Sequence, residues 1–158
     1  MQWKRGWLAL KVNIYDSFLE ATRDVFKLML DLSDIQDHPV GTFDFSDSLD
    51  ISIGVIGDLD GEVFYRFPQN TSINMVNIMV GMDLDSVDDF VTSAISEIAN
   101  IISGNVLTLL SGNDIKCDIL PPISGKPDES KNYALRTACC ITTSAGEVCL
   151  DIRLNPAV

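Results

Sequence analysis

Histidine is almost absent from this chain: His38 is the only one. It stands beside Pro39, and no two of the four cysteines are spaced Cys-x-x-Cys. A zinc framework is therefore not expected, and His38 reads as a loop residue. Cys117, Cys139, Cys140 and Cys149 fall in segments that read as strands. Cys139 and Cys140 are adjacent, so on a strand they point to opposite faces. Buried structural thiols in a reducing cytoplasm are the expectation, without a disulfide framework. Positive charge is scarce as well. Lys and Arg total 11 against 23 Asp and Glu, a formal net of -12. Binding to nucleic acid runs on neutralising phosphates with Lys and Arg, and this chain offers no basic stripe, so a nucleic-acid partner is excluded. An anionic membrane surface is disfavoured on the same ground. The segment MQWKRGWLALK is the one basic patch. It is too short to span a bilayer and lacks the apolar core of a signal segment. It reads as a frayed or accessory arm over residues 1–11, with Trp3 and Trp7 available to pack on the domain.

Apolar residues, by contrast, are plentiful: 46% of 158. That excludes general disorder and fits one domain with a single sizeable core. Residues 13–32 carry Ile14, Phe18, Ala21, Val25, Leu28, Met29 and Leu32 at helical spacing. Pro39 then marks a loop. Leu49, Ile51, Ile53 and Val55 alternate with polar residues or glycine, which is strand periodicity. The cluster Gly57-Asp58-Leu59-Asp60-Gly61 turns the chain into a returning strand, Val63 to Phe67. Asp58, Asp60 and Glu62 lack the later bidentate glutamate of a calcium loop, so the turn reading prevails. Thr71 or Ser72 is expected to cap a short helix ending at Gly81. A long helix follows, capped by Ser86 and running to about Leu110. Gly104-Asn105 inside it suggests a close backbone contact or a kink. Lys116 to Leu120, Tyr133 to Thr142 and Val148 to Leu154 read as strands, the last two forming a hairpin across Ser144-Ala145-Gly146. Hairpins imply a mostly antiparallel sheet with the two long helices packed on it, an α+β domain.

The long helix carries Ser93, Glu97 and Asn100 in the order S-x3-E-x2-N, and Pro122 follows after 21 further residues. At about 100° per residue these three share one narrow polar face. Ile95, Ile98 and Ile102 belong to the apolar side. Taken alone, a Glu and an Asn three apart on a helix are a solvated face. A carboxylate beside a carboxamide can also pair with a lysine and orient a water, which points to hydrolysis of something that a partner protein presents.

The element order and the complete S-x3-E-x2-N-x21-P spacing resemble the CheC/CheX/FliY family of chemotaxis phosphatases, in particular its single-motif CheX type. The similarity covers residues 12–155 as one domain and leaves 1–11 outside. Ser93, Glu97, Asn100 and Pro122 each match the family's pattern. The resemblance implies dephosphorylation of the phospho-aspartate of a CheY-type response regulator in the cytoplasm. It further implies a homodimer joined at a sheet edge. It implies no metal of the chain's own, the Mg²⁺ being held by the partner receiver domain. Within that reading Asn100 positions water, Glu97 docks to a receiver lysine and Ser93 keeps the docking face small. Gly104 and Pro122 shape the surroundings. The alternative is a non-catalytic interaction module of the related flagellar-switch type.

Overall fold

The computed structural model describes residues 2–39 and 47–156, without the side chains of residues 2–5, 7, 8 and 39. The expected packing of Trp3 and Trp7 lies outside the described side chains. Helix α1 (Gln2–Leu30) is followed by strands β1 (Gln36–Pro39), β2 (Ser48–Gly57) and β3 (Leu59–Pro68). Helices α2 (Gln69–Val80) and α3 (Asp89–Ser111) come next, then β4 (Cys117–Ile119), β5 (Ile123–Ser124), β6 (Leu135–Thr143) and β7 (Gly146–Pro156). The strands form one sheet in the order β1-β6-β7-β3-β2-β4, with β5 also on β2, and every pairing is antiparallel. The α+β reading thus holds.

Alternation sorts each strand onto two faces. On β7, Val148, Leu150, Ile152 and Leu154 enter the main core, while Cys149, Asp151 and Arg153 point to the opposite face. The core face meets Ile14, Phe18 and Val25 of α1 and Val91, Ile95, Ile98, Ile102, Val106 and Leu110 of α3. Burying each such side chain contributes about 1.5–3 kcal/mol, which easily outweighs the roughly 1 kcal/mol that Gly104 costs α3 relative to alanine. Tyr65 of β3 and Ser103 of α3 share a buried hydrogen bond of 2.8 Å that fixes α3 on the sheet. It also satisfies the one polar group of an otherwise apolar ring.

Several local expectations are corrected. Helix α1 begins at Gln2, well before residue 13, so the segment expected as a frayed arm is its first turns. Leu28, expected in the core, is 83% exposed, and Phe26 is buried instead. The segment before Pro39 is an edge strand. Pairing with β6 makes it one, and Tyr15 and Arg23 hold it by bonds of 3.3 and 2.7 Å to Asp37. A proline is tolerated there because an edge strand uses only one of its hydrogen-bonding sides. Helix α2 starts directly after β3 at Gln69, with no side-chain cap. Thr71 and Ser72 lie inside it, buried, and Thr71 Oγ1 donates to the Glu147 carbonyl at 3.0 Å. Gly81 ends α2 as expected, at φ 64.

The cysteine expectation is also overturned. Cys140 and Cys149 are direct partners across β6 and β7 and form a disulfide, while Cys117 and Cys139 are free. A turn centred on Ser144-Ala145 places these two residues opposite each other, and adjacent sulfurs on one face of a hairpin are within bonding reach.

Candidate functional site

Helix α3 carries the candidate residues, and three devices aim it. Its N-cap is Asp88 rather than Ser86: the Asp88 carboxylate accepts from the Val91 N–H at 3.0 Å. A carboxylate there satisfies an otherwise unpaired donor and complements the helix dipole. The connector before it is clamped by Asn77, whose side chain donates to the Leu84 carbonyl at 3.0 Å and accepts from the Leu84 N–H at 2.7 Å. The apolar side is then locked in the core.

The remaining side of α3 stays open. Ser93 and Glu97 are exposed, and Asn100 and Gly104 are half-buried. At about 100° per residue the four lie within roughly 60° of one another, a single stripe along three turns. Among the described residues, no side-chain hydrogen bond or ion pair engages Ser93, Glu97 or Asn100. The expected close contact or kink at Gly104 is absent: α3 is continuous through it, and a Cβ built there meets nothing within 4 Å. Gly104 therefore serves no packing need inside the chain and leaves the stripe flat beside Asn100. Phe90, one turn before Ser93, is 51% exposed and extends the stripe with an apolar ring.

Pro122 stands half-buried between β4 and β5, in the stretch that passes from the strand lying against α3 to the far end of β2. The Leu120 N–H donates to the Gly54 carbonyl at 2.9 Å and holds that stretch on β2. Of the acids at the β2–β3 turn, Asp58 has a structural role: it accepts from the Lys116 N–H at 2.8 Å and ties the turn to the start of β4.

The stripe is convex. A cavity of about 500 Å³ lies elsewhere, lined among others by Asp60, Glu62, Lys131 and Tyr133, and no residue of α3 contributes to it. Ligand pockets for small molecules are concave. A convex face with an unengaged carboxylate and carboxamide suits a substrate delivered on another protein. Helix α3 is also long and apolar enough to cross a membrane by composition, but Val91, Ile95, Ile98, Ile102, Val106 and Leu110 are buried in the core. Burial pushes the Cys139 thiol up to about 11 and raises that of Cys117 as well.

A single antiparallel sheet, backed by a helix layer that offers this stripe outward, defines an α+β domain with an open helical face. Comparison with known proteins makes the class specific. A family model described as chemotaxis phosphatase CheX matches residues 51–144. The CheY-P phosphatase CheX of Thermotoga maritima is 31% identical over 91 residues, which are 56% of this chain and 59% of that protein. The match thus spans less than two thirds of that relative. The crystal structure of chemotaxis protein CheX from Vibrio vulnificus superposes with a TM-score of 0.77 at 19% identity, over 90% of this chain and 99% of that one. A CheX-CheY-BeF3-Mg²⁺ complex from Borrelia burgdorferi gives a TM-score of 0.73 at 20% identity, over 89% and 97% of the two chains. At these identities the structural likeness establishes the fold. The chain belongs to the chemotaxis phosphatase CheX family.

Proposed function

We propose that this protein hydrolyses the phospho-aspartate of a CheY-type response regulator and so ends a chemotactic or other two-component signal. The observation that carries the reading is the open stripe on α3, where Glu97 and Asn100 stand side by side with no side-chain partner among the described residues. The name of the Thermotoga relative and the composition of the Borrelia complex support the choice of substrate.

The residue types suit that chemistry. An acyl phosphate is already activated, so hydrolysis needs a water held in line more than a strong base. The carboxamide of Asn100 both donates and accepts, and so can fix such a water. It does not titrate and acts as no base. The water oxygen forms the new bond to phosphorus, the bond to the aspartyl oxygen breaks, and inorganic phosphate leaves. Glu97 lies about one turn earlier and pairs with a lysine of the receiver, a charge-assisted contact that docks the helix. Ser93 and Gly104 keep the stripe low enough for close approach. The chain brings no cofactor to this reaction; the Mg²⁺ sits in the receiver. A cytoplasmic location follows from such a partner. We also infer a homodimer joined at a sheet edge, since exposed Ile123 and Leu120 flank the β4–β5 edge; sedimentation as a monomer at micromolar concentration would refute it.

The test follows phosphate release from a phosphorylated receiver domain with Mg²⁺. Wild type should accelerate the loss, and Asn100→Ala should reduce that acceleration by roughly 100-fold, the scale of losing a positioning contact. Glu97→Ala should weaken receiver binding by about 1.5–3 kcal/mol, the worth of a charge-assisted hydrogen bond. A decay rate equal to that of the receiver alone, with wild type bound, would make the protein an interaction module.

A further inference from the structure

On the sheet face away from α3, three neighbouring strands bring unlike side chains to one level. His38 of β1 is the direct partner of Cys140 on β6, and Cys140 is the direct partner of Cys149 on β7. Direct partners project to the same face. Glu147, two residues before Cys149, shares that face, and its carboxylate lies 3.6 Å from His38 Nε2. The donor atoms of His38, Cys140 and Glu147 all lie within 4.8 Å of one another. With Cys149 bonded to Cys140, the set is two sulfurs, an imidazole and a carboxylate.

We propose that the dithiol form of this protein binds one Zn²⁺ through His38, Cys140, Cys149 and Glu147, and that the Cys140–Cys149 disulfide is the same site closed by oxidation. Two thiolates, one imidazole and one carboxylate form a four-donor set suited to tetrahedral zinc. Both sulfurs are buried, at 3% and 0% exposure, whereas the His38 and Glu147 side chains are 51% and 40% exposed. The ion would sit at the boundary, with sulfur beneath it and the imidazole and carboxylate above. The frame is already fixed. Thr71 holds the backbone of Glu147, Asn74 donates to the Ala145 carbonyl at 2.9 Å in the adjoining turn, and Asp37 anchors β1 to α1.

A disulfide sulfur is no thiolate donor, so the two states exclude each other. Opening the site consumes a dithiol reductant. Its two thiols supply two electrons and two protons and become a disulfide, while the Cys140–Cys149 bond breaks into two thiols. Zn²⁺ then displaces those two protons. The inference is independent of the phosphatase reading, because the cluster lies across the sheet from α3.

Co²⁺ added to the full chain tests this, after treatment with dithiothreitol and its removal without oxygen. One Co²⁺ per chain should bind, with thiolate charge-transfer absorption, and Zn²⁺ should displace it. The disulfide form should show neither. His38→Ala, a change at an exposed side chain that leaves the core intact, should weaken binding by about tenfold or more; even residues that merely support a ligand are worth that much. Cys149→Ser should remove about half of the thiolate absorption. Cys139→Ser should change nothing, since its thiol faces the helices. Failure of the reduced protein to bind stoichiometric Co²⁺ overturns the proposal, as does binding that His38→Ala and Glu147→Ala leave unchanged.

Discussion

On the outer face of the sheet, polar side chains hold one another; on the outward stripe of α3, across the sheet, they stand apart. Arg153 is 2% exposed and donates to Asp151 at 2.8 Å and to Glu129 at 3.1 Å. Arg136 reaches the same Asp151 at 3.5 Å, and the Arg153 guanidinium lies 5.6 Å from the centre of the Phe64 ring. Arg66 pairs with Asp50 at 3.1 Å nearby. Among the described residues, Ser93, Glu97 and Asn100 show no such engagement. Charges paired inside the fold serve the fold, and polar groups that face solvent from a rigid helix are available to something outside it.

The largest effect should come from breaking the satisfied region. Asp151 Oδ1 and Arg153 Nε are buried and find no partner among the described residues, so the cluster already carries a desolvation cost. Arg153→Ala would leave the buried Asp151 with only the half-exposed Arg136 at 3.5 Å and should destabilise the protein by about 3 kcal/mol, read by chemical denaturation. Replacing both, as Asp151→Leu with Arg153→Met, should cost clearly less, because no lone charge remains. A single change that costs no more than the pair would erase the distinction between the two regions. On α3 the pattern should invert. Glu97→Ala and Asn100→Ala should each stay within about 0.5 kcal/mol of wild-type stability, since neither removes a contact, while binding or turnover collapses.

Gly104 sharpens the same contrast on a smaller scale. A Cβ there meets open space, so Gly104→Ala should stabilise α3 by up to about 1 kcal/mol through helix propensity alone. Gly104→Trp should also fold, yet raise the stripe beside Asn100 and lower phosphate release from the receiver. If Gly104→Trp is as active as wild type, the stripe is not approached closely at that turn.

Much of this was legible because it is local. The apolar period of α3 and the Glu97 and Asn100 offsets depend only on helix geometry. The hairpins rest on alternation and glycine-bearing turns. What escaped depends on pairing across distance. Nothing within Gln36–Pro39 makes it a strand until Cys139 and Cys140 lie opposite. Thr71 resembles a cap because threonine usually is one at a helix start, but its hydroxyl is taken by the Glu147 carbonyl 76 residues away. The disulfide was the nearest miss. Following the hairpin register outward from Ser144-Ala145 brings Cys140 and Cys149 opposite each other, a step open to sequence reasoning. His38 joins them only through β1, which sequence reasoning reads as loop.

The smallest effect concerns acid. Its hydrogen bond from Arg153 holds the Glu129 carboxyl below the usual carboxylate range, helped by the charges of Arg153 and Arg136. A carboxyl whose folded value is depressed stabilises the fold fully above its ordinary value. That contribution fades as pH falls through the ordinary value toward the depressed one. Glu129 is an exposed partner, so screening keeps its share small. The Tm of wild type should therefore fall on acidification slightly more steeply than that of Glu129→Gln, with the two curves diverging above the carboxylate range and merging below it. Parallel curves would mean that Arg153 is held by Asp151 alone, and that the satisfied region ends at the sheet rather than reaching into the loop that carries Glu129.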